Sequence, residues 1–237
     1  MLRGPKLLWH DTLVAHPETH AWVLSLYRAG EFHPQTVDDY FPSWAAPTDE
    51  LRVAMERHAA DEGRHVRIYD RAIARLGVPR VEFAGRDVFN VVIRHETAAA
   101  FAVTQEDAPD VRVTKVAHFL AHAHHLEKRI ARSLEFHLDA CHRIGASAVA
   151  AAVQAVHGDE ERHARYTREA VFDLLPRPRA LATLAMHRAA ERRAHLAFSS
   201  RQVRSFLSTF KRRGTLRDRT LFRAAAAMME SAHDLLD

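Results

Sequence analysis

Two five-residue stretches decide how this chain reads: Asp61-Glu62-Gly63-Arg64-His65 and Asp159-Glu160-Glu161-Arg162-His163. Both spell Asp-Glu-x-Arg-His. With 15 Asp, 15 Glu, 30 Arg and 18 His in 237 residues, one such stretch arises by chance with roughly 1% probability, and two with odds on the order of one in ten thousand. On a helix, positions three apart share a face. The Glu and His of each stretch therefore point the same way, and a carboxylate oxygen and an imidazole nitrogen can reach one metal ion.

The surrounding sequence supplies the helices. Thr48 is a good N-cap, and the pattern runs from there to Leu76, where Gly77 and Pro79 end it. A second long pattern spans Ser147 to Leu175 and stops at Pro176. An earlier helix is expected from near His16-Pro17-Glu18, with Trp22, Leu26 and Tyr27 on its apolar face. Asp87 is a candidate cap for a helix over Val88–Thr104, and a long helix is expected from Val111 to Ile144, ending at Gly145. Residues 176–237 read as two or three more helices, broken near Ser199-Ser200 and at Gly214. No strand pattern of useful length occurs. Apolar residues make up 47% and charged residues 27%, with 8 Gly and 9 Pro, which excludes a disordered chain, a collagen-like fibre and a disulfide scaffold.

Two helices facing each other with two Glu and two His can hold a pair of ions. Helical bundles with di-iron or di-manganese centres complete the set with one carboxylate from each of two further helices. Oxygen donors with one imidazole per ion suit iron or manganese and are too thiolate-poor for structural zinc. Glu127 lies 33 residues before Glu160. It stands about 27 Å from the turn at Gly145, against about 22 Å for Glu160, so the two share a level on antiparallel helices. Glu135 falls too close to the turn. Glu31 lies 31 residues before Glu62. Its level matches only if the first helix continues past Pro34 to about Phe41, kinked near Gly30 and Glu31. That continued helix is expected, with Glu18 and Asp39 as fallback carboxylates.

The paired motif, each copy preceded by a lone Glu about 30 residues earlier, resembles the ferritin-like di-iron carboxylate superfamily. The likeness is greatest to its oxygen-activating branch: bacterial multicomponent monooxygenase hydroxylases, acyl-carrier-protein desaturases and the ribonucleotide reductase small subunit. It covers roughly residues 16–175. It implies an all-α fold: a ferritin-like four-helix bundle with a dinuclear metal site, an extra crossover helix and a helical C-terminal extension. The domains would be 1–175, the di-metal bundle, and 176–237, a basic extension packed on it. The resemblance implies Glu31, Glu62, His65, Glu127, Glu160 and His163 as six ligands to two iron ions, with Mn/Fe as an alternative and O2 as co-substrate. Asp61 and Asp159 would hold the histidine nitrogens turned away from the ions, and Arg64 and Arg162 would pair with those aspartates.

Tyr69, four residues after His65, matches the place of the radical tyrosine in the reductase subunit. A hydrogen-bonded core tyrosine is the preferred reading and a redox role the second, and Tyr166 is read alike. His58, four before Glu62, is a candidate extra ligand, as in the arylamine N-oxygenases of this superfamily. Of His122, His124 and His125, one is expected in the core and the others in water. The helix bearing Phe89, Val91, Val92 and Ile93 is expected to fill the bundle rather than roof a cavity.

The expected function is an O2-dependent oxygenase or oxidase acting on a small or carrier-bound organic molecule by hydroxylation, N-oxygenation or desaturation. A tRNA-modifying hydroxylase, iron or peroxide handling, and a non-catalytic metal-stabilised binding module compete with it. Residues 176–237 hold thirteen Lys/Arg against five Asp/Glu, a charge suited to RNA or to an acidic, ferredoxin-type electron donor. A homodimer is expected. One cysteine, no apolar h-region in Met1–Thr19 and no long apolar run lead to the expectation of a cytoplasmic, non-membrane protein.

Overall fold

The computed structural model describes residues 3–236. Eight α-helices account for most of these residues: α1 (Arg3–Val14), α2 (Pro17–Phe32), α3 (Asp49–Arg75), α4 (Phe89–Phe101), α5 (Pro109–Arg143), α6 (Ser147–Leu174), α7 (Arg177–Thr209) and α8 (Leu216–Asp234). No strand occurs among the described residues, so the fold is all-α as expected. Nor, among them, is any helix long and apolar enough to cross a membrane.

Helix starts and stops follow local chemistry. Pro17 occupies the permitted first turn of α2. The Thr48 hydroxyl accepts from the Leu51 N–H at the head of α3. Gly77 ends α3 and Gly145 turns α5 into α6, both at positive φ (69° and 71°), where a Cβ costs energy. The short turn makes α5 and α6 an antiparallel hairpin. Leu24 of α2, Tyr69 and Ile73 of α3, Leu134 and Cys141 of α5, and Val153 and Val156 of α6 then share one buried cluster. α7 lies against α4, α5 and α8.

Four expectations need correction. α2 stops at Phe32 instead of running kinked to Phe41. The His33 N–H bonds back to the Ala29 and Gly30 carbonyls, and Pro34 enters a 3-10 turn over His33–Gln35. The level match does not need the longer helix: residues 33–48 return along α3 through a second 3-10 turn, Ser43–Ala45, and a chain of that length spans up to about 50 Å. Asp87 does not cap α4. It sits in the 3-10 turn Gly85–Asp87, Val88 is the cap residue, and the Asp87 carbonyl accepts from Gln202. α7 runs unbroken through Ser199-Ser200, because Ser200 bonds the Ala197 carbonyl and Ser199 the His195 ring, which satisfies both hydroxyls inside the helix. Finally, α1 had no counterpart in the sequence reading; its Trp9 packs edge-on against Phe206 of α7 and Phe222 of α8.

Candidate metal centre

The two Asp-Glu-x-Arg-His stretches face each other on α3 and α6, running antiparallel. A local two-fold relation therefore sets the Asp of each copy opposite the His of the other. His65 Nε2 lies 3.1 Å from Asp159 Oδ2, and His163 Nε2 lies 3.2 Å from Asp61 Oδ2. The arginines close the lattice: Arg64 donates to Asp61 at 2.8 Å and to Asp159 at 2.5 Å, and Arg162 donates to Asp61 at 2.7 Å. Arg162 also pairs with Asp159 at 2.5 Å. Burial alone would raise the two aspartate pKa values, but the bonds from the arginines and histidines outweigh it and hold both below the usual carboxylate range. Both are thus acceptors, which places a proton on each Nε2 and turns each Nδ1 inward toward the carboxylates.

Inward of the histidines stand the carboxylates. His65 Nδ1 is 3.4 Å from Glu31 Oε2 and 3.2 Å from Glu160 Oε1. His163 Nδ1 is 3.4 Å from Glu160 Oε2 and 3.9 Å from Glu62 Oε1. Glu31, Glu62, His65 and Glu160 form one buried group whose donor atoms lie within 4.8 Å of one another, and His58, Glu62 and His163 form a second. Glu62 belongs to both. Glu127 adjoins the second group, 3.5 Å from His58 Nε2. All six residues implied by the resemblance thus come together, and so does His58. Its Nε2 is 3.3 Å from Glu62 Oε1, its Nδ1 2.8 Å from the Tyr166 hydroxyl, and its ring stacks on His163 at 3.7 Å. Glu18, Asp39 and Glu135 are exposed and take no part.

The electrostatics favour positive charge among these carboxyls. Burial, then the Glu31 charge, push the Glu62 carboxyl up to about 8. Burial and the Glu160 charge push Glu127 up to about 7. Glu31 and Glu160 are raised for the same reasons. His65 resists charging through burial, but its contacts with Glu160 and Glu31 outweigh that and push it up to about 12. His58 Nε2 with Glu62 Oε1 and His65 Nδ1 with Glu160 Oε1 lie within 3.3 Å but without hydrogen-bond geometry, a shortfall that an ion among them would make up. These His and Glu residues could hold a metal ion.

Two smaller expectations fail here. Tyr69 is fully buried, yet its hydroxyl has no hydrogen-bond partner, so it is a core tyrosine without the expected bond. His124 is buried and His125 half-buried, each tied to a neighbouring helix. His124 donates to the Ala164 carbonyl of α6 at 2.7 Å and His125 to the Leu184 carbonyl of α7 at 2.9 Å, because α6 and α7 cover α5 on both sides.

Next to the centre lies a cavity of about 280 Å3, walled by Trp22, Leu26, Tyr27, Phe89 and Phe198, with Glu31 in its lining. α4 does two jobs. Ile93 fills the core against Leu126 and Ala194, as expected, while Phe89 and Asn90 also wall the cavity. A third buried group is His20, His137 and Cys141; nothing in the sequence signalled it, since His20 on α2 lies more than a hundred residues before the other two on α5. Comparison with models of protein families, with curated proteins and with solved structures gives no match to this chain.

Proposed function

We propose that this protein is an O2-dependent non-haem di-iron oxidoreductase, an oxygenase or oxidase acting on an apolar organic molecule. The observation that carries this reading is the double position of Glu31. It belongs to a buried carboxylate–imidazole group and also lines an apolar cavity of ligand size. In this reading α2, α3, α5 and α6 are a ferritin-like four-helix bundle, α4 is the crossover helix, and α7 and α8 are the extension.

Glu31, His65 and Glu160 would hold one ion, and His163 and Glu127 the other, with Glu62 between them and His58 as a further donor. Two ferrous ions held there would supply the reductive activation of O2; manganese in one position is compatible with the same donors. The protein's part is positional. Asp61 and Asp159 keep the two imidazole protons on Nε2, which leaves Nδ1 free to bind. Tyr166 and His58 share a proton at the edge of the centre. The aromatic walls would hold an apolar substrate beside Glu31.

Metal content per chain, measured by mass spectrometry on protein produced with iron and manganese both supplied, tests the reading. Two ions per chain are expected, falling sharply in Glu62→Ala and Glu160→Ala, with O2 consumed when ferrous ion is added to the wild type. Protein that carries almost no metal, unchanged by these substitutions, refutes the centre. Full loading without O2 consumption refutes the chemistry and leaves a metal-stabilised bundle.

A further inference from the structure

The group formed by His20, His137 and Cys141 is separate from the carboxylate centre and contains no Asp or Glu. We propose that it is a site for monovalent copper.

The geometry comes from two helices. His137 and Cys141 are four apart on α5 and so share a face; His20 enters from the first turns of α2. All three are buried. His20 Nε2 lies 3.0 Å from His137 Nε2, and Cys141 Sγ lies 3.7 Å from His20 Nε2. Nitrogen and sulfur ligands bond a borderline ion at about 2.0–2.1 Å and 2.3 Å, so ligand atoms on one ion stand roughly 3.4–3.8 Å apart. The sulfur is already at that separation, and the two imidazoles need to open by roughly half an ångström. The support for His137 is in place: its Nδ1 is 3.4 Å from the Tyr27 hydroxyl, which can accept the ring proton once Nε2 gives its lone pair to an ion.

Charge and softness select the ion. Cys141 belongs to the main apolar cluster with Val14, Leu24, Leu138 and Val149, the rings of His10 and Tyr27 lie against His137, and a net charge buried there is costly. Two neutral imidazoles and one thiolate around Cu+ sum to zero, whereas a divalent ion would leave one positive charge. Thiolate with imidazole is also the donor set that copper prefers, while the carboxylate centre suits harder ions.

Anaerobic titration of the full chain with Cu+ against bathocuproine disulfonate tests the proposal. One copper per chain is expected to be withheld from the chelator, with a thiolate-to-copper absorption in the ultraviolet, and equally so in Glu62→Ala/Glu160→Ala. Cys141→Ser and His137→Gln are expected to lose that equivalent while keeping their helical circular dichroism. Cys141→Ala serves if the serine variant does not fold, and the ultraviolet band of the wild type reads the same bond without any variant. A folded wild type that withholds no copper overturns the proposal. So does copper retained without the band or in the folded variants, or a site that takes Zn2+ in preference to Cu+.

Discussion

Asp159 accepts from three donors at once: Arg64, Arg162 and the Nε2 side of His65. Asp159→Asn would keep the shape but lose the charge that fixes the His65 tautomer. Affinity for Mn2+ or Fe2+ is expected to fall about 10- to 100-fold, read by chelator competition, with helix content unchanged; an unchanged affinity would mean the aspartate is only packing. At this scale the sequence was most informative where spacing is short. Glu62 with His65, Glu160 with His163, and His58 with Glu62 are set by helical periodicity alone. Glu31 and Glu127 needed a guess at helix direction and level. The exchange of partners between Asp61 and Asp159 could not be read at all, because it depends on α3 and α6 running antiparallel. The same holds for His20, His137 and Cys141, which meet only after α2 docks on α5.

Elements were legible where caps and breakers speak for themselves. Thr48, Gly77, Gly145 and Pro176 each stand at or beside an observed helix end. Failures came where tertiary contacts decide. Pro34 ended α2 because the connector could fold back on α3, and Ser199-Ser200 did not end α7 because each hydroxyl found a partner one turn back. α1 carries little pattern of its own and is held by Trp9 and Leu13 against residues of α2, α7 and α8. Gly145 offers a clean measure of one such signal. No atom lies within 4 Å of the place a Cβ would take, so Gly145→Ala tests the backbone at φ 71° and not packing. The left-handed conformation costs roughly 1–2 kcal/mol, partly offset by the stiffer unfolded chain. A net loss of about 1 kcal/mol is expected, seen as a fall in Tm of about 2–4 °C.

Across the whole molecule, a set of buried histidines opposes acid. Burial, then Lys6 and Arg143, hold His10 down at about 3; burial, then His118 and His125, hold His187 down at about 3. His122 and His195 are also held well below the ordinary value, mainly by burial. These rings stay neutral in the fold and become charged in the unfolded chain below about 6.5. Their contribution is intact above that pH and is lost as pH falls toward 3, each at up to about 1.4 kcal/mol per pH unit. The raised carboxyls Glu31, Glu62, Glu127 and Glu160 act with the opposite sign, so the histidine share is read by difference: below about pH 6.5 the Tm of His10→Gln is expected to fall less steeply with acid than that of the wild type, and equal slopes would show that the ring titrates normally. The basic C-terminal region is stitched into the body rather than left free: Arg193 pairs with Glu96, Arg213 with Glu18, and Arg201 bonds the Arg86 carbonyl. The traded aspartate–histidine contacts have a consequence of their own. Because each helix carries the support for the other's imidazole, a slip of α3 along α6 by one turn, about 5.4 Å, would disarm both imidazoles together. The lattice thus works as a registration mark. If the centre takes metal as proposed, a chain folded out of alignment would not load correctly, and uptake of metal would double as proof-reading of assembly.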